Sequence, residues 1–203
     1  MTRRMRLQST PAIEGLVRNG LIRDIGLHLD AAFFDGAGGN APTGIRSQSG
    51  IGSVAWDTTS GLTEFQSAIA METTVAAANA DVGEFSYVTT PSVRGRLKGK
   101  FVATLATLPA VWSGRGSEGE LNGYAAWVTN NIPRTLGGGT NEHSVFAGVW
   151  SQAMIGQWGV LDVMVDEYEL ADSGGLTLRG FQDVDVAVRH AQSFVHSQLN
   201  PAA

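Results

Sequence analysis

Residues 10–34 read TPAIEGLVRNGLIRDIGLHLDAAFF, and this stretch decides the fold. Thr10 can cap a helix, and Pro11 then occupies the first helical position, where its missing N–H costs nothing. Apolar residues follow at Ile13, Val17, Leu21, Ile25, Leu29 and Phe33, every fourth position, with Leu16, Ile22 and Ala32 widening the stripe. The pattern predicts an amphipathic helix of about 24 residues, ~36 Å long. Gly15, Gly20 and Gly26 each weaken it by roughly 1 kcal/mol relative to Ala. Such a helix depends on tertiary packing and serves as a rod with other elements laid against it.

Outward from the rod, the chain alternates turns with short periodic runs. A glycine loop, Asp35 to Gly44, ends the helix, and residues 45–58 are polar and irregular. A second helix fits Leu62 to Ala78, with Leu62, Phe65, Ile69 and Val75 or Ala76 on one side. Glu84 to Thr90 reads as a strand. Pro91 opens a short helix with Val93 and Leu97 inward. Gly99 to Gly119 is mixed and loop-rich, and Tyr124 to Thr129 is a strand stopped by Asn130-Asn131-Ile132-Pro133. Gly137 to Gly139 is a tight turn or flexible connection. Ser144 to Val149 and Val160 to Val165 read as strands. Leu176 to Phe181 and Val184 to Arg189 look like a paired hairpin. One long helix, two shorter ones and several antiparallel strands make an α+β protein, not an alternating βαβ one.

Composition narrows the function. The chain has 203 residues, 43% hydrophobic and 16% charged. That charged share is below the usual ~25%, and the balance excludes intrinsic disorder. With no Cys, disulfides, thiol nucleophiles and Cys-ligated metals are excluded. The net charge is −5, and the two lysines are Lys98 and Lys100. No basic footprint for gripping nucleic acid appears. Arg3, Arg4, Arg6, Arg18 and Arg23 crowd the start. Asp162, Asp166, Glu167, Glu169, Asp172, Asp183 and Asp185 crowd the end, with Arg179 among them. Two solvated faces are the plain reading; attraction between opposite ends of identical subunits is the sharper one. MTRRMR lacks the apolar stretch of a signal peptide, and no run approaches the ~18 apolar residues of a membrane span. The expectation is a soluble chain made in the cytoplasm, with no membrane partner.

No motif argues for an enzyme, a cofactor or a metal. Gly36-x-Gly38 with Gly39 follows a helix, so it faces the wrong end of the dipole for phosphate and reads as a terminating loop. Asp183 and Asp185 would share one strand face, but His190 would point to the other, so a solvated face is favoured over a metal site. His28 sits one residue from the apolar stripe, as a boundary or interface residue. Ser113 and Ser117 have no local His, and His143 stands beside glycine-rich sequence, so no hydrolytic triad is drawn. No catalytic, cofactor-binding or metal-binding residue is therefore assigned. Trp56, Trp112, Trp127, Trp150 and Trp158 default singly to the core, but five of them make an interface Trp plausible.

A family resemblance ties these fragments together. It starts at Arg4-Met5-Arg6-Leu7-Gln8-Ser9-Thr10-Pro11 and runs through Leu29-Asp30-Ala31-Ala32-Phe33-Phe34 and Pro42-Thr43-Gly44-Ile45. It resumes at Tyr87-Val88-Thr89-Thr90-Pro91-Ser92-Val93-Arg94, Trp112, Leu121-Asn122-Gly123-Tyr124 and Asn130-Asn131-Ile132-Pro133. It is densest at Val145 to Trp150, Ile155 to Gly159 and Asp185 to His190. In this order the chain resembles the C-terminal part of a tailed-phage major capsid protein with the Hong Kong 97-like fold.

The resemblance implies an α+β capsid fold with a spine helix at about 10–34, a discontinuous peripheral domain (1–58 and 159–203) and an axial domain (59–158). Residues 160–198 would return as long peripheral strands, linked by the acidic turn Asp166 to Gly175. Lys98 to Glu120 would be the axial tip, near the centre of each pentamer or hexamer. It also implies homo-oligomeric capsomer rings, portal and scaffold or protease partners, DNA packaged without sequence specificity, and a place in the virion after assembly in the host bacterial cytoplasm. Only ten residues precede the helix, so the family's N-terminal arm and extended loop are expected to be missing, favouring rings or monomers over closed shells. The rival readings are an encapsulin-like compartment subunit and an unrelated α+β enzyme.

Overall fold

The computed structural model describes residues 12–56, 63–102, 109–166 and 168–202. Three α-helices form: α1 (Ala12–Asp35), α2 (Glu64–Ala77) and α3 (Pro91–Lys98). The strands are β1 (Gly52–Ser53), β2 (Phe85–Thr89), β3 (Trp112–Ser113), β4 (Glu118–Leu121) and β5 (Tyr124–Val128). They continue with β6 (His143–Val149), β7 (Ala153–Asp166), β8 (Thr177–Val188) and β9 (Phe194–Leu199). The chain divides into two compact units, Met1–Asp30 with Ile155–Asp185, and Ala31–Met154 with Val186–Ala203.

In the first unit the four-residue repeat on α1 is realised. Val17, Leu21, Ile25 and Leu29 are half-buried, while the other described residues between 15 and 30 are exposed. Gly180 on β8 lets the helix come close, because a Cβ there would stand 2.8 Å from Ile25 Cδ1 and 3.1 Å from Leu21 Cδ2. Leu16 and Ile22 do not widen the covered stripe: Leu16 is 72% exposed and Ile22 is exposed beside it. Thr10 and Pro11 lie outside the described residues.

β7 and β8 pair as a two-stranded sheet. Residues 167–176 join them, too short a link for the crossover of a parallel pair, so the ribbon is antiparallel. The hairpin expected within 176–189 is corrected here, since Thr177–Val188 is one continuous strand. Its alternation holds phase through Gln182 and Asp183, so that polar pair does not turn the chain. Two long strands, β7 and β8, joined through the acidic turn stand in its place.

The second unit is built on a seven-stranded sheet in the order β1-β9-β6-β2-β5-β4-β3. β2 runs parallel to β5 and antiparallel to β6, and β6 runs antiparallel to β9. Strand pairing therefore ties 194–199 to 143–149, although the expected partition grouped 159–203 with the spine helix. Register splits the side chains between two faces. Tyr87, Val145, Ala147, Val149, Ala126 and Val195 meet Met71 and Val75 of α2 and Val93 and Leu97 of α3. Val88, Phe146 and Phe194 point the other way and meet Phe34, Ile45 and Ile132.

Local chemistry sets the boundaries. Thr63 and Gln66 form a capping box at the start of α2. Thr90 accepts from Val93 N–H, with Pro91 in the first turn of α3. Asn122 and Gly123 both have positive φ, 54° and 81°, which makes β4–β5 a two-residue hairpin of the Asn-Gly kind.

Candidate assembly surfaces

The second sheet face is covered only in part. The end of α1 lies over β6, where the Phe34 ring packs tilted against Phe146 at 5.3 Å and edge-on against Trp150 at 6.0 Å. Ser86, Val88, Ala125 and Trp127 continue that face toward β5 by register. There it opens into a groove of about 890 Å³ walled by Val88, Trp127 and Trp150. Trp127 is 47% exposed, and Trp150 fixes one wall by donating its Nε1–H to Ser86 O at 3.2 Å. Glu84 lines the groove, and Glu118 and Glu120 share its face on β4, opposite Trp127 and Ala125. All three glutamates are exposed.

The opposite face of the same strands carries α3 and a basic edge. Val93 and Leu97 are fully buried there, which turns Arg94 and Lys98, four apart, toward the β3–β4 turn. Arg94 donates to Gly116 O, and Lys98 Nζ donates to Gly114 O at 2.8 Å. Both partners are neutral carbonyls, and neither cation makes an ion pair among the described residues. Arg115, exposed at the tip of that turn, adds a third.

Beneath α3 lies a buried ionic junction. Arg96 donates to Glu64 Oε1 at 2.9 Å and to Asn200 O at 2.6 Å, while Lys100 Nζ stands 3.5 Å from the same carboxylate. Burial pushes the Glu64 carboxyl up, but the Arg96 hydrogen bond, its own backbone hydrogen bond and the Lys100 and Arg96 charges outweigh it and hold it below the usual range. Beside the junction a polar cavity of about 330 Å³ is lined by Trp56, Arg96, Glu142 and His196. His196 shares a hydrogen bond with Ser144 Oγ at 3.1 Å. Burial, then the Arg46 charge, lower its pKa to about 4, against a smaller opposite pull from Asp35.

In the first unit the acidic turn is clasped from β8. Asp166 accepts from the Tyr168 and Glu169 N–H groups, and Arg179 reaches Glu169 at 3.0 Å and Asp166 at 3.5 Å. These bonds hold both carboxyls below the usual range. Trp158 is 60% exposed in this unit, beside an exposed Val160.

The glycines, aspartates and histidines singled out from the sequence are spread over both units. Gly36 N–H closes α1 on Ala32 O at 2.8 Å and Gly44 N–H bonds Gly36 O at 2.9 Å. A Cβ on Gly36 would overlap the Pro42 carbonyl and stand 2.7 Å from Ala32 O. The glycines are thus a helix-terminating clasp. His190 bonds Ser193 Oγ at 3.2 Å, Asp183 and Asp185 are exposed, and His28 is exposed on α1. His143 shares a 2.8 Å hydrogen bond with Thr90, and burial, then the Arg134 charge, keep its pKa low. Among the described residues no three His, Asp or Glu side chains gather to hold a metal. Trp56 and Trp112 are core, whereas Trp127 and Trp158 are surface. Sequence reading missed the Trp127 groove and the Glu64–Arg96 junction; the Asn122-Gly123 pair was the available signal for the hairpin that builds the groove floor.

What this architecture presents is surface: an acidic, tryptophan-walled sheet face and a basic edge behind it. The chain belongs to the phage capsid family, whose model matches residues 1–199. It is 36% identical over 195 residues to the major capsid protein of Halomonas phage phiHAP-1, covering 96% of this chain and 30% of that protein. The chain thus spans about a third of the length of the curated relative it matches. Among solved structures it is similar to the capsid of an empty GTA particle, with a TM-score of 0.73 at 16% identity over 98% of this chain and 68% of that one. It is also similar to the holo-SrpI encapsulin from Synechococcus elongatus PCC 7942, with a TM-score of 0.67 at 14% identity over 100% of this chain and 72% of that one. The fold is the Hong Kong 97-like capsid fold, a mixed α+β architecture.

Proposed function

We propose that the chain is a structural part of a phage major capsid protein, whose copies join head to tail into pentamers and hexamers of a DNA-filled head. The observation that carries this reading is the match of one capsid family model to almost every residue of the chain. A heterologous contact that closes on rotation gives a ring, and many modest contacts add up to a stable shell. A net charge of −5 suits a wall that encloses DNA without adhering to its phosphates. The role is structural, with virion location, assembly in the host bacterial cytoplasm, and portal and scaffold or protease as partners. We assign the α1–β7–β8 unit to the peripheral role and the α2–α3 side of the seven-stranded sheet to the axial role, with the described residues between Lys98 and Glu120 as the tip; residues 103–108 of that expected tip lie outside the described residues.

Light scattering and negative-stain imaging of the purified chain test this. Rings are expected from the chain alone or once the remaining sequence of a homologous capsid protein is supplied. A chain that stays monomeric at every concentration, alone and with the remaining sequence of a homologous capsid protein supplied, overturns it. The similarity to an encapsulin supports a second reading, a compartment for protein cargo. Nuclease-protected DNA in particles isolated from cells favours the head; a co-purifying enzyme favours the compartment.

A further inference from the structure

The capsid reading requires copies of the chain to meet, and the second unit carries two surfaces that match. The first is the groove between Trp127 and Trp150. It is an uncovered stretch of sheet: the residues that cover β6, Phe34 and Ile45, gather around Val88 and Phe146, and Trp127 beyond them is left half open. Glu84, Glu118 and Glu120 border it, and none of the three makes an ion pair among the described residues. The second is the edge formed by Arg94, Lys98 and Arg115, where α3 holds the β3–β4 turn.

The two surfaces lie back to back. Leu121 and Ala126 point into the core beneath α3, while Glu120, Ala125 and Trp127 point from the same two strands to the other face. A surface and its complement on opposite faces of one sheet cannot satisfy each other within a two-fold pair. They match only head to tail, the geometry that generates rings. Charge complementarity sets register and suppresses the inverted pairing, since like charges would then meet.

Resting on the capsid reading, we infer that the occupant of the Trp127 groove is a second copy of this chain, which inserts its β3–β4 turn and α3 edge, with Arg94, Lys98 and Arg115 facing Glu84, Glu118 and Glu120. Trp127 is the apolar anchor of the contact, and the ion pairs form its rim.

Sedimentation velocity of charge-reversed chains tests the contact. One chain carries Glu118→Arg and Glu120→Arg; another carries Lys98→Glu and Arg115→Glu; a third carries all four. Each pair of changes alone is expected to weaken self-association by roughly tenfold or more, and the fourfold variant to regain it. Trp127→Ser weakens association without changing its salt dependence. Raising salt from about 0.05 to about 0.5 M weakens the unaltered chain, a result that needs no variant. Circular dichroism establishes that each variant is folded before its data are used. If the unaltered chain forms rings and the reversed pairs form them equally well, this contact is overturned while the capsid reading stands. If the unaltered chain stops at a two-fold dimer, the head-to-tail arrangement is overturned. If it never associates, alone or with the remaining sequence of a homologous capsid protein supplied, both fail.

Discussion

Arg96 and Glu64 form an ion pair whose side chains are only 5% and 9% exposed, and the same guanidinium holds the Asn200 carbonyl. One residue thereby locks α2, α3 and the end of β9 together. Removing one member of such a pair leaves a charge without compensation, whereas replacing both with apolar groups does not. Arg96→Leu is expected to destabilise the fold by about 3 kcal/mol in urea unfolding, and the combined Glu64→Met, Arg96→Leu chain by clearly less. Equal losses from the two would contradict the account.

Acid should weaken the protein in two separable stages. His196 has a folded pKa of about 4, below its ordinary 6.5, so the unfolded chain binds its proton first. Stability falls as pH drops from 6.5 toward 4, by at most about 3 kcal/mol, and this contribution is flat below that range. Glu64 is held low in the folded state, so its contribution is present above pH 4.5 and is lost as pH falls further. Unfolding curves across this range should lose most of the upper stage in His196→Gln, leaving the part that His143, also held low, contributes, and keep the lower one. An unchanged upper slope in that variant would assign it to another group.

The glycine clasp after α1 has no room for a side chain. Gly36→Ala is expected to lower the thermal midpoint sharply, since the new methyl meets two carbonyl oxygens that are themselves part of the clasp. Gly39, with φ of 76° and open space around it, is the control, with an expected loss of only about 1 kcal/mol in Gly39→Ala. Equal effects at the two sites would show that backbone conformation, and not close approach, decides.

Within α1 the sign reverses. Gly20 and Gly26 are exposed, and nothing lies within 4 Å of an added Cβ. Each change to Ala should stabilise by up to about 1 kcal/mol, read as a higher urea midpoint. A loss of stability would place an unseen neighbour on that side of the helix.

Glu72 accepts from Asn122 Nδ2 at 2.6 Å and from the Tyr124 hydroxyl at 2.8 Å, so α2 grips the turn of the β4–β5 hairpin. Glu72→Ala should cost about 1–2 kcal/mol and speed amide exchange at residues 118–125 before the rest of the sheet. Uniform exchange across the sheet would mean that the hairpin does not open on its own.

Much of this was legible in the residues because it obeys simple periods. Val17, Leu21, Ile25 and Leu29 repeat every fourth position, and those positions are the covered ones. Val93 and Leu97, four apart on α3, were equally plain. Leu16 and Ile22 misled because an apolar side chain left in solvent looks, in sequence, the same as one in a core. The turn expected near Gln182 and Asp183 followed polarity and ignored the unbroken alternation around it. β3 and β4 hid in a run of glycines, yet Gly119 is bare because the Trp112 indole lies against it. The Glu64–Arg96 junction had no local signature, since its partners are 32 residues apart and only the packed sheet brings them together. The groove was invisible for a related reason: Trp127 reads as core until the strands beside it are found uncovered.

Both margins of the large sheet are strands of two residues, Gly52–Ser53 and Trp112–Ser113. Short borders offer little exposed backbone for another chain to template upon. The large sheet is thereby guarded against edge-to-edge pairing, and were its copies to crowd together as proposed, recognition would fall to side chains instead of promiscuous main-chain pairing.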